Sequence, residues 1–275
     1  MTKINGLNEQ NKKEQPKALK INSIKNEAED VKTFTFKNKI DAVPGQFVML
    51  WIPRIGMKPF GVSGLDEYSF SVTVSRVGNF TSCLFEKKQG EYVGVSGPYG
   101  KGFSTKRKNP ILVAGGYGSA PLALLAECLE KEGANVTLII GARNERYITF
   151  KDRFKESSIN VVYCTDDGSK GIKGFTTDAL EEVLKKKECD FIYTVGPEIM
   201  MKKVIDISDV HGIDCEASIE RYMKCGFGIC GQCCVDGTGE RLCTNGPVYN
   251  KDYIKDKITE FGLYKRDVTG RLSSF

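Results

Sequence analysis

No stretch of the chain reaches the roughly 18 consecutive apolar residues that a membrane-spanning helix needs, so a membrane protein of that kind is not expected. The N-terminus, MTKINGLNEQNKKEQPK, is polar throughout and lacks the apolar core of a secretion signal, which makes a cytoplasmic location the expectation. Basic residues interleaved with aromatics on one face are missing too, and with them the footprint of nucleic-acid binding. Net charge is only +5, from 40 Lys and Arg against 35 Asp and Glu, and runs such as Lys185-Lys186-Lys187 read as solvated helix ends. Histidine is nearly absent. The single His211, in SDVHG, is expected at a helix end rather than in catalysis. No internal repeat and no low-complexity segment occurs.

What is present is an ordinary globular composition, 40% hydrophobic and 27% charged, in 275 residues, enough for two compact domains. Ten cysteines without a secretion signal do not suggest a disulfide framework, because the cytosol keeps thiols reduced. Cys83, Cys128, Cys164, Cys189 and Cys215 lie singly within apolar segments and read as small hydrophobes. The other five fall between Cys225 and Cys243, and that concentration needs a chemical explanation.

Residues 1–16, rich in Asn, Gln, Lys and Glu, are expected to be disordered. From Lys17 to about Val95 short β-type segments (ALKINSI, VKTFTFK, QFVMLWIP, YSFSVTVSR, EYVGVSG) are separated by turn residues, which predicts a small antiparallel barrel. The pattern changes at Asn109. PILVAGG, NVTLIIGAR, INVVYCTDDG and DFIYTVG read as strands. They alternate with helical patterns in SAPLALLAECLEKEG, near 149–156, in TTDALEEVLKKKE and in PEIMMKKVIDISDVHG. Alternation of this kind means βαβ units and a parallel sheet. The expected division is a barrel over 17–106, an α/β nucleotide domain over 107–218, a Cys-rich module over 219–250 and a polar tail over 251–275.

The cysteine spacing is Cys225-x4-Cys230-x2-Cys233-x9-Cys243, the plant-type [2Fe-2S] pattern. Three ligands on one tight loop would wrap the cluster, with the fourth arriving from a later strand. Gly226, Gly228 and Gly231 would let that loop turn left-handed and aim its N–H groups at the sulfurs. Zinc is the alternative, although its sites usually carry C-x2-C pairs on both sides and only one occurs here. Cys234 is expected to face away from the ligand set.

VAGGYGSAPL, residues 113–122, is a glycine-rich strand-to-helix turn. Gly115, Gly116 and Gly118 would allow close approach of a pyrophosphate at a helix N-terminus, although the same glycines would also suit a plain tight connection. TDDGS at 165–169, with Asp166 and Asp167, and VGPEIMM at 195–201, with Gly196 and Pro197, place small or polar residues at two further strand ends. Ligands of open α/β sheets bind at such ends.

A barrel bearing PGQF, a GG-x-G-x-APL turn and a late Gly-Pro together resemble the ferredoxin-NADP reductase superfamily. The CG-x-G-x-CG-x-C loop narrows this to a resemblance to electron-transfer subunits of dihydroorotate dehydrogenase B, over about residues 17–250. That resemblance implies FAD, a [2Fe-2S] cluster and NAD(H) as cofactors. It also implies a catalytic dihydroorotate dehydrogenase subunit as partner, in a heterotetramer of two of each. The family's flavin motif, Arg-Pro-Ile/Phe-Ser, falls on Lys58-Pro59-Phe60-Gly61, with Lys for Arg and Gly for Ser. Val74-Ser75-Arg76 matches the second flavin segment, where Arg76 is expected to supply a phosphate contact, and Thr81 and Ser82 match the third. GPYGKGF, 97–103, matches the loop that closes the barrel. The family's late Cys-Gly-Pro is Val195-Gly196-Pro197 here. A flavin/[2Fe-2S] subunit of a hydrogenase or of a ferredoxin-NADP transhydrogenase would share the layout, as would an adaptor that conducts electrons and binds no pyridine nucleotide.

Overall fold

The computed structural model describes residues 15–274, and the stretch expected to be disordered lies, through residue 14, outside them. Six strands close an antiparallel barrel: β1 (Lys17–Ala28), β2 (Val31–Phe36), β3 (Phe47–Ile52), β4 (Gly56–Leu65), β5 (Phe70–Ser75) and β6 (Tyr92–Tyr99), in the order β1-β2-β5-β4-β3-β6. Period-2 patterning turns Phe34 and Phe36 of β2 and Phe70, Val72 and Val74 of β5 into the barrel core, where the Phe36 and Phe70 rings stack at 5.1 Å. Strand β4 was not foreseen, and it carries Lys58 to Gly61. A seven-residue helix, α1 (Asn79–Phe85), was not foreseen either. It buries Phe80, Leu84 and Phe85 against the same core.

The second sheet has seven strands in the order β10-β9-β8-β7-β11-β12-β13. Strands β7 (Pro110–Gly115), β8 (Thr137–Ala142), β9 (Asn160–Thr165), β10 (Ile172–Lys173), β11 (Phe191–Val195) and β12 (Cys215–Ser218) are parallel, and β13 (Val248–Asn250) joins the edge antiparallel. Every residue of β7 and β11 is buried, because helices cover both faces. Helix α2 (Ser119–Lys131) places Leu122, Leu125 and Leu129 on one face. Helices α3 (Thr176–Leu184) and α4 (Glu198–Val210) place Leu180, Met201 and Val204 on the other. Each such side chain contributes about 1.5–3 kcal/mol by leaving water.

Three expectations need correcting. Residues 149–156 form turns rather than a helix, because Phe150 adopts φ 58° and buries its ring together with that of Phe154, while Arg153 forks onto Glu127 at 2.7 and 2.9 Å. Cys243 sits on a one-turn helix, α5 (Leu242–Asn245), rather than on a strand. The polar tail folds back: helix α6 (Lys251–Lys257) and the hairpin β14 (Tyr264–Arg266)–β15 (Leu272–Ser274) follow, with Ile254, Ile258 and Phe261 buried. Of the scattered cysteines, Cys164 and Cys215 are buried and Cys83, Cys128 and Cys189 half-buried. His211 caps the end of α4 as expected. Among the described residues no helix is long and apolar enough to cross a membrane.

One buried ionic knot joins the pieces. Arg221, just past β12, pairs with Glu198 at the start of α4 and with Glu260, 3.2 Å away, beyond α6. Glu198 also accepts the Gly262 N–H at 2.9 Å, and Glu260 accepts that of Asp236 at 3.1 Å. Burial raises the pKa of Glu198, and the Arg221 charge opposes that shift. Removing the cation leaves two buried carboxylates facing each other. Arg221→Ala is therefore expected to lower unfolding stability by about 3–5 kcal/mol in denaturant titration, and adding Glu198→Gln with Glu260→Gln to recover part of it. An unchanged midpoint would mean that the knot contributes nothing.

Candidate functional site

Where the barrel faces the parallel sheet a cleft opens. Pro59, Phe60 and Gly61 of β4, Val74 and Ser75 of β5 and Thr81 of α1 form its barrel wall, and Gly118, Pro121, Val195, Glu220 and Arg221 line the opposite one. Six of the residues expected at a flavin are thus brought together. Three are not in the lining. Lys58 holds its ammonium 3.7 Å above the Tyr222 ring. Arg76 is paired with Asp30 at 2.5 Å and lies over Phe85, so its guanidinium is engaged by the barrel itself. Ser82 is exposed outside the cleft. The Thr81 hydroxyl accepts the N–H groups of Val77 and Gly78 at 2.9 and 3.0 Å, so its first role is to fix the start of α1.

A second cavity runs along the carboxyl ends of β7, β8 and β9 and includes Gly115, Gly116, Arg143, Asp166, Thr176 and Pro197. The glycines differ in purpose. A Cβ on Gly115 would meet Met200 Sδ at 2.5 Å and one on Gly118 would strike the Val195 carbonyl, so both serve close packing of the loops. Gly116, at φ 56°, has nothing within 4 Å of its missing Cβ, and its backbone stands open at the head of α2. That is the cradle a pyrophosphate asks for. Asp166 lines this groove. Asp167 turns into its own loop, accepting from the Ser169 hydroxyl at 2.6 Å and the Ser169 N–H at 2.9 Å, which together hold its carboxyl below the usual range. Gly196 lies just behind Pro197 and packs on Met200. Arg143 and Lys203, both in the groove lining, escaped the sequence reading. Only their positions after a strand end and on the following helix hinted at them.

The segment leading into the cysteine loop lines the barrel cleft. Met223 and Arg221 line the barrel cleft, and only Lys224 separates Met223 from Cys225. Gly226 sits so close to β3 that a Cβ there would meet Met49 Cγ at 2.5 Å, and the Phe227 ring packs on Tyr99 at 6.2 Å. Gly226, Gly228 and Gly231 take φ of 85°, 86° and 68°, the left-handed turns their spacing suggested. Burial works against ionisation of Cys225. The N–H groups of Cys230, Phe227 and Ile229 aimed at its sulfur outweigh burial and bring the thiol down to about 7. Cys233 falls to about 6, chiefly because the Cys243 thiol donates to it, and Cys243 is held up by the same neighbour. The four thiols thus approach one another in two pairs, Cys225 with Cys230 and Cys233 with Cys243. The donor set fits a [2Fe-2S] cluster, which is held by four thiolates.

A family model described as the iron-sulfur cluster binding domain of dihydroorotate dehydrogenase B matches residues 220–255, and one described as an oxidoreductase NAD-binding domain matches 112–206. A protein of Methanocaldococcus jannaschii named "Probable dihydroorotate dehydrogenase B (NAD(+)), electron transfer subunit" is 48% identical over 94% of this chain and 98% of its own. The chain belongs to this family of electron-transfer subunits. A family member from Pyrococcus furiosus, carrying the same name, is 41% identical over 89% of this chain and 94% of its own. A solved structure of an NADH-dependent reduced ferredoxin-NADP oxidoreductase, described for flavin-based electron bifurcation, superposes with a TM-score of 0.78 at 31% identity, over 88% of this chain and 93% of that one. As a member of the family the chain is an oxidoreductase subunit with FAD, a [2Fe-2S] cluster and NAD(H) as its cofactors.

Serine at any one of positions 225, 230, 233 or 243 is expected to reduce bound iron and acid-labile sulfide from about two of each per chain to a small fraction and to bleach the cluster absorbance, while Cys234→Ser leaves both in place. Loss of the cluster in the Cys234 variant would reassign a ligand.

Proposed function

We propose that this chain relays electrons from a catalytic dihydroorotate dehydrogenase subunit, through a cluster on Cys225, Cys230, Cys233 and Cys243 and an FAD in the barrel cleft, to NAD bound in the groove at Gly115 and Gly116. The observation that carries this reading is adjacency: one short segment, from Glu220 to Cys225, forms the inner wall of the barrel cleft and then becomes the cysteine loop. FAD, when bound, exchanges a two-electron hydride for single electrons. The chain's own residues do the placing. Pro59, Phe60, Gly61, Val74, Ser75 and Thr81 shape the pocket. Lys58, Arg76 and Ser82 are proposed on the motif resemblance, although the first two cations are held by Tyr222 and Asp30. Gly116 and Pro197 would receive the dinucleotide on loops that Gly118 and Gly196 hold in close packing, with Asp167 behind the ribose side and Asp166 facing it.

Exposed Cys230 and Ile229 at the loop tip favour docking of the partner over that edge, where the path to a second flavin is shortest. A heterotetramer of two of each subunit, located in the cytoplasm, completes the proposal. Domain limits of 17–106, 107–218 and 219–250 describe the three functional parts.

The likeness to the ferredoxin-NADP oxidoreductase chain supports a second reading, in which the partner is a ferredoxin-linked flavoprotein. Isolation of the native complex separates the two: co-purification with a dihydroorotate-oxidising flavoprotein is expected, and dihydroorotate should then reduce NAD through the complex. A ferredoxin-dependent partner would overturn the first reading. NADH is also expected to bleach the flavin band of the purified subunit; no bleaching with FAD bound would favour an adaptor without pyridine nucleotide. Asp166 in the groove should accept a ribose hydroxyl and repel a 2′-phosphate, so Asp166→Ser is expected to lower the preference for NADH over NADPH roughly tenfold in Kd. An unchanged ratio would remove Asp166 from selection.

A further inference from the structure

Among the described residues Tyr117 alone lines both the barrel cleft and the dinucleotide groove. It lies at the centre of the glycine turn, on the single 3-10 turn Gly116–Gly118 between β7 and α2. Its hydroxyl donates to Glu220 Oε2 at 3.2 Å, across 103 residues of sequence. Glu220 belongs to the segment that follows β12 on the far side of the cleft, so this one hydrogen bond ties the phosphate turn to the chain leading into the cysteine loop. The nearby carboxylate keeps the phenol protonated, and with it the donor that the bond requires.

On the reading that the groove takes NAD(H) and the cleft takes FAD, hydride transfer brings the two reacting atoms to about 3–3.5 Å. A nicotinamide reaching from the groove into the cleft passes the turn that carries Tyr117, the residue common to both linings. We propose that Tyr117, latched to Glu220, is a gate between the two cavities and admits the nicotinamide to the flavin only when its ring swings aside.

The local geometry suits a gate better than a fixed wall. The residue is 50% exposed, so half of its surface is free of packing. On one side of it Gly116 has open space around the missing Cβ. On the other, Gly118 is pinned against the Val195 carbonyl, so the turn keeps its place while the side chain moves. A single hydrogen bond at 3.2 Å between half-open groups is weak enough for ligand binding to break. The latch then lowers apparent nicotinamide affinity by the fraction of time it is closed. Tyr117 acts here by position and takes no part in the chemistry.

The test is equilibrium binding of NAD+ to the FAD- and cluster-loaded full chain, by calorimetry, together with quenching of flavin fluorescence by iodide. Tyr117→Phe keeps the ring and removes the latch, and Glu220→Ala removes it from the other side. Both are expected to bind NAD+ roughly three- to tenfold more tightly and to expose the flavin more to iodide. Tyr117→Ala, lacking the ring, should bind at least as tightly as Tyr117→Phe. Equal affinity in wild type and Tyr117→Phe would overturn the gate and leave the nucleotide reading intact. Weaker binding in Tyr117→Ala would also overturn it, by making the ring a platform for the ligand. Failure of every form, gated or open, to bind NAD+ would overturn both.

Discussion

The guanidinium of Arg221 is buried with the carboxylates of Glu198 and Glu260, and the three residues belong to different parts of the molecule. Glu198 opens the helix that follows Val195-Gly196-Pro197, at the edge of the dinucleotide groove. Glu260 belongs to the C-terminal fold-back and holds the Asp236 N–H just past the cysteine loop. Arg221 itself lines the barrel cleft and donates to the Glu220 carbonyl at 2.8 Å. Two carboxylates to one cation is an expensive arrangement in a low-dielectric interior. Glu260 Oε2 lacks a hydrogen-bond partner among the described residues. Such a knot tolerates little displacement, so the three sites keep a common frame. Relay function needs that frame, because electron passage depends on separations that loosely joined domains would not hold.

Around the knot the cysteine loop is wedged rather than tethered. Met49 and Tyr99 of the barrel meet Gly226 and Phe227, Lys101 donates its N–H to the Gly246 carbonyl, and β13 completes the large sheet beside β12. The module is too short to carry a core of its own, and its buried Cys233, Val235, Leu242 and Cys243 join the core under α3 and α4. The fold-back after residue 250 serves the same end, covering that core with Ile254, Ile258 and Phe261.

How much of this the sequence disclosed follows from how local each signal is. Cysteine spacing and glycine turns are properties of a few consecutive residues, and the positive φ of Gly226, Gly228 and Gly231 was legible from them. Apolar runs in β7, β8 and β11 announce a doubly covered parallel sheet by themselves. Strand β4 did not announce itself, because GMKPFGVSGL has a proline, three glycines and no clean alternation. The helical pattern near 149–156 failed because Phe150 and Phe154 are drawn into the core by tertiary contacts. What one residue does with a distant partner was illegible. Arg76 is taken by Asp30, Lys58 by Tyr222, and Tyr117 meets Glu220 only through the fold.

The three departures from the family's motifs acquire different weights in three dimensions. At Gly61 a Cβ would stand 3.6 Å from Pro121, an ordinary contact, so nothing steric forbids the family's serine and its absence removes a hydroxyl without reshaping the cleft. At Lys58 the charge is retained but held over the Tyr222 ring, in the segment leading to the cysteines. Val195 is the sharpest change. It ends β11, next to the central strand β7, is buried to 4% exposure, and presents an aliphatic surface to the cleft where the family's motif has a thiol. An aliphatic wall cannot donate to a reacting centre, but it still excludes water, while the Val195 carbonyl packs against Gly118 whatever the side chain. The groove glycines, the open Gly116 backbone and the Asp166 carboxylate survive intact beside it. Loss of the thiol therefore bears on the rate of hydride passage more than on whether the nucleotide is held, and that argues against a chain that merely conducts electrons.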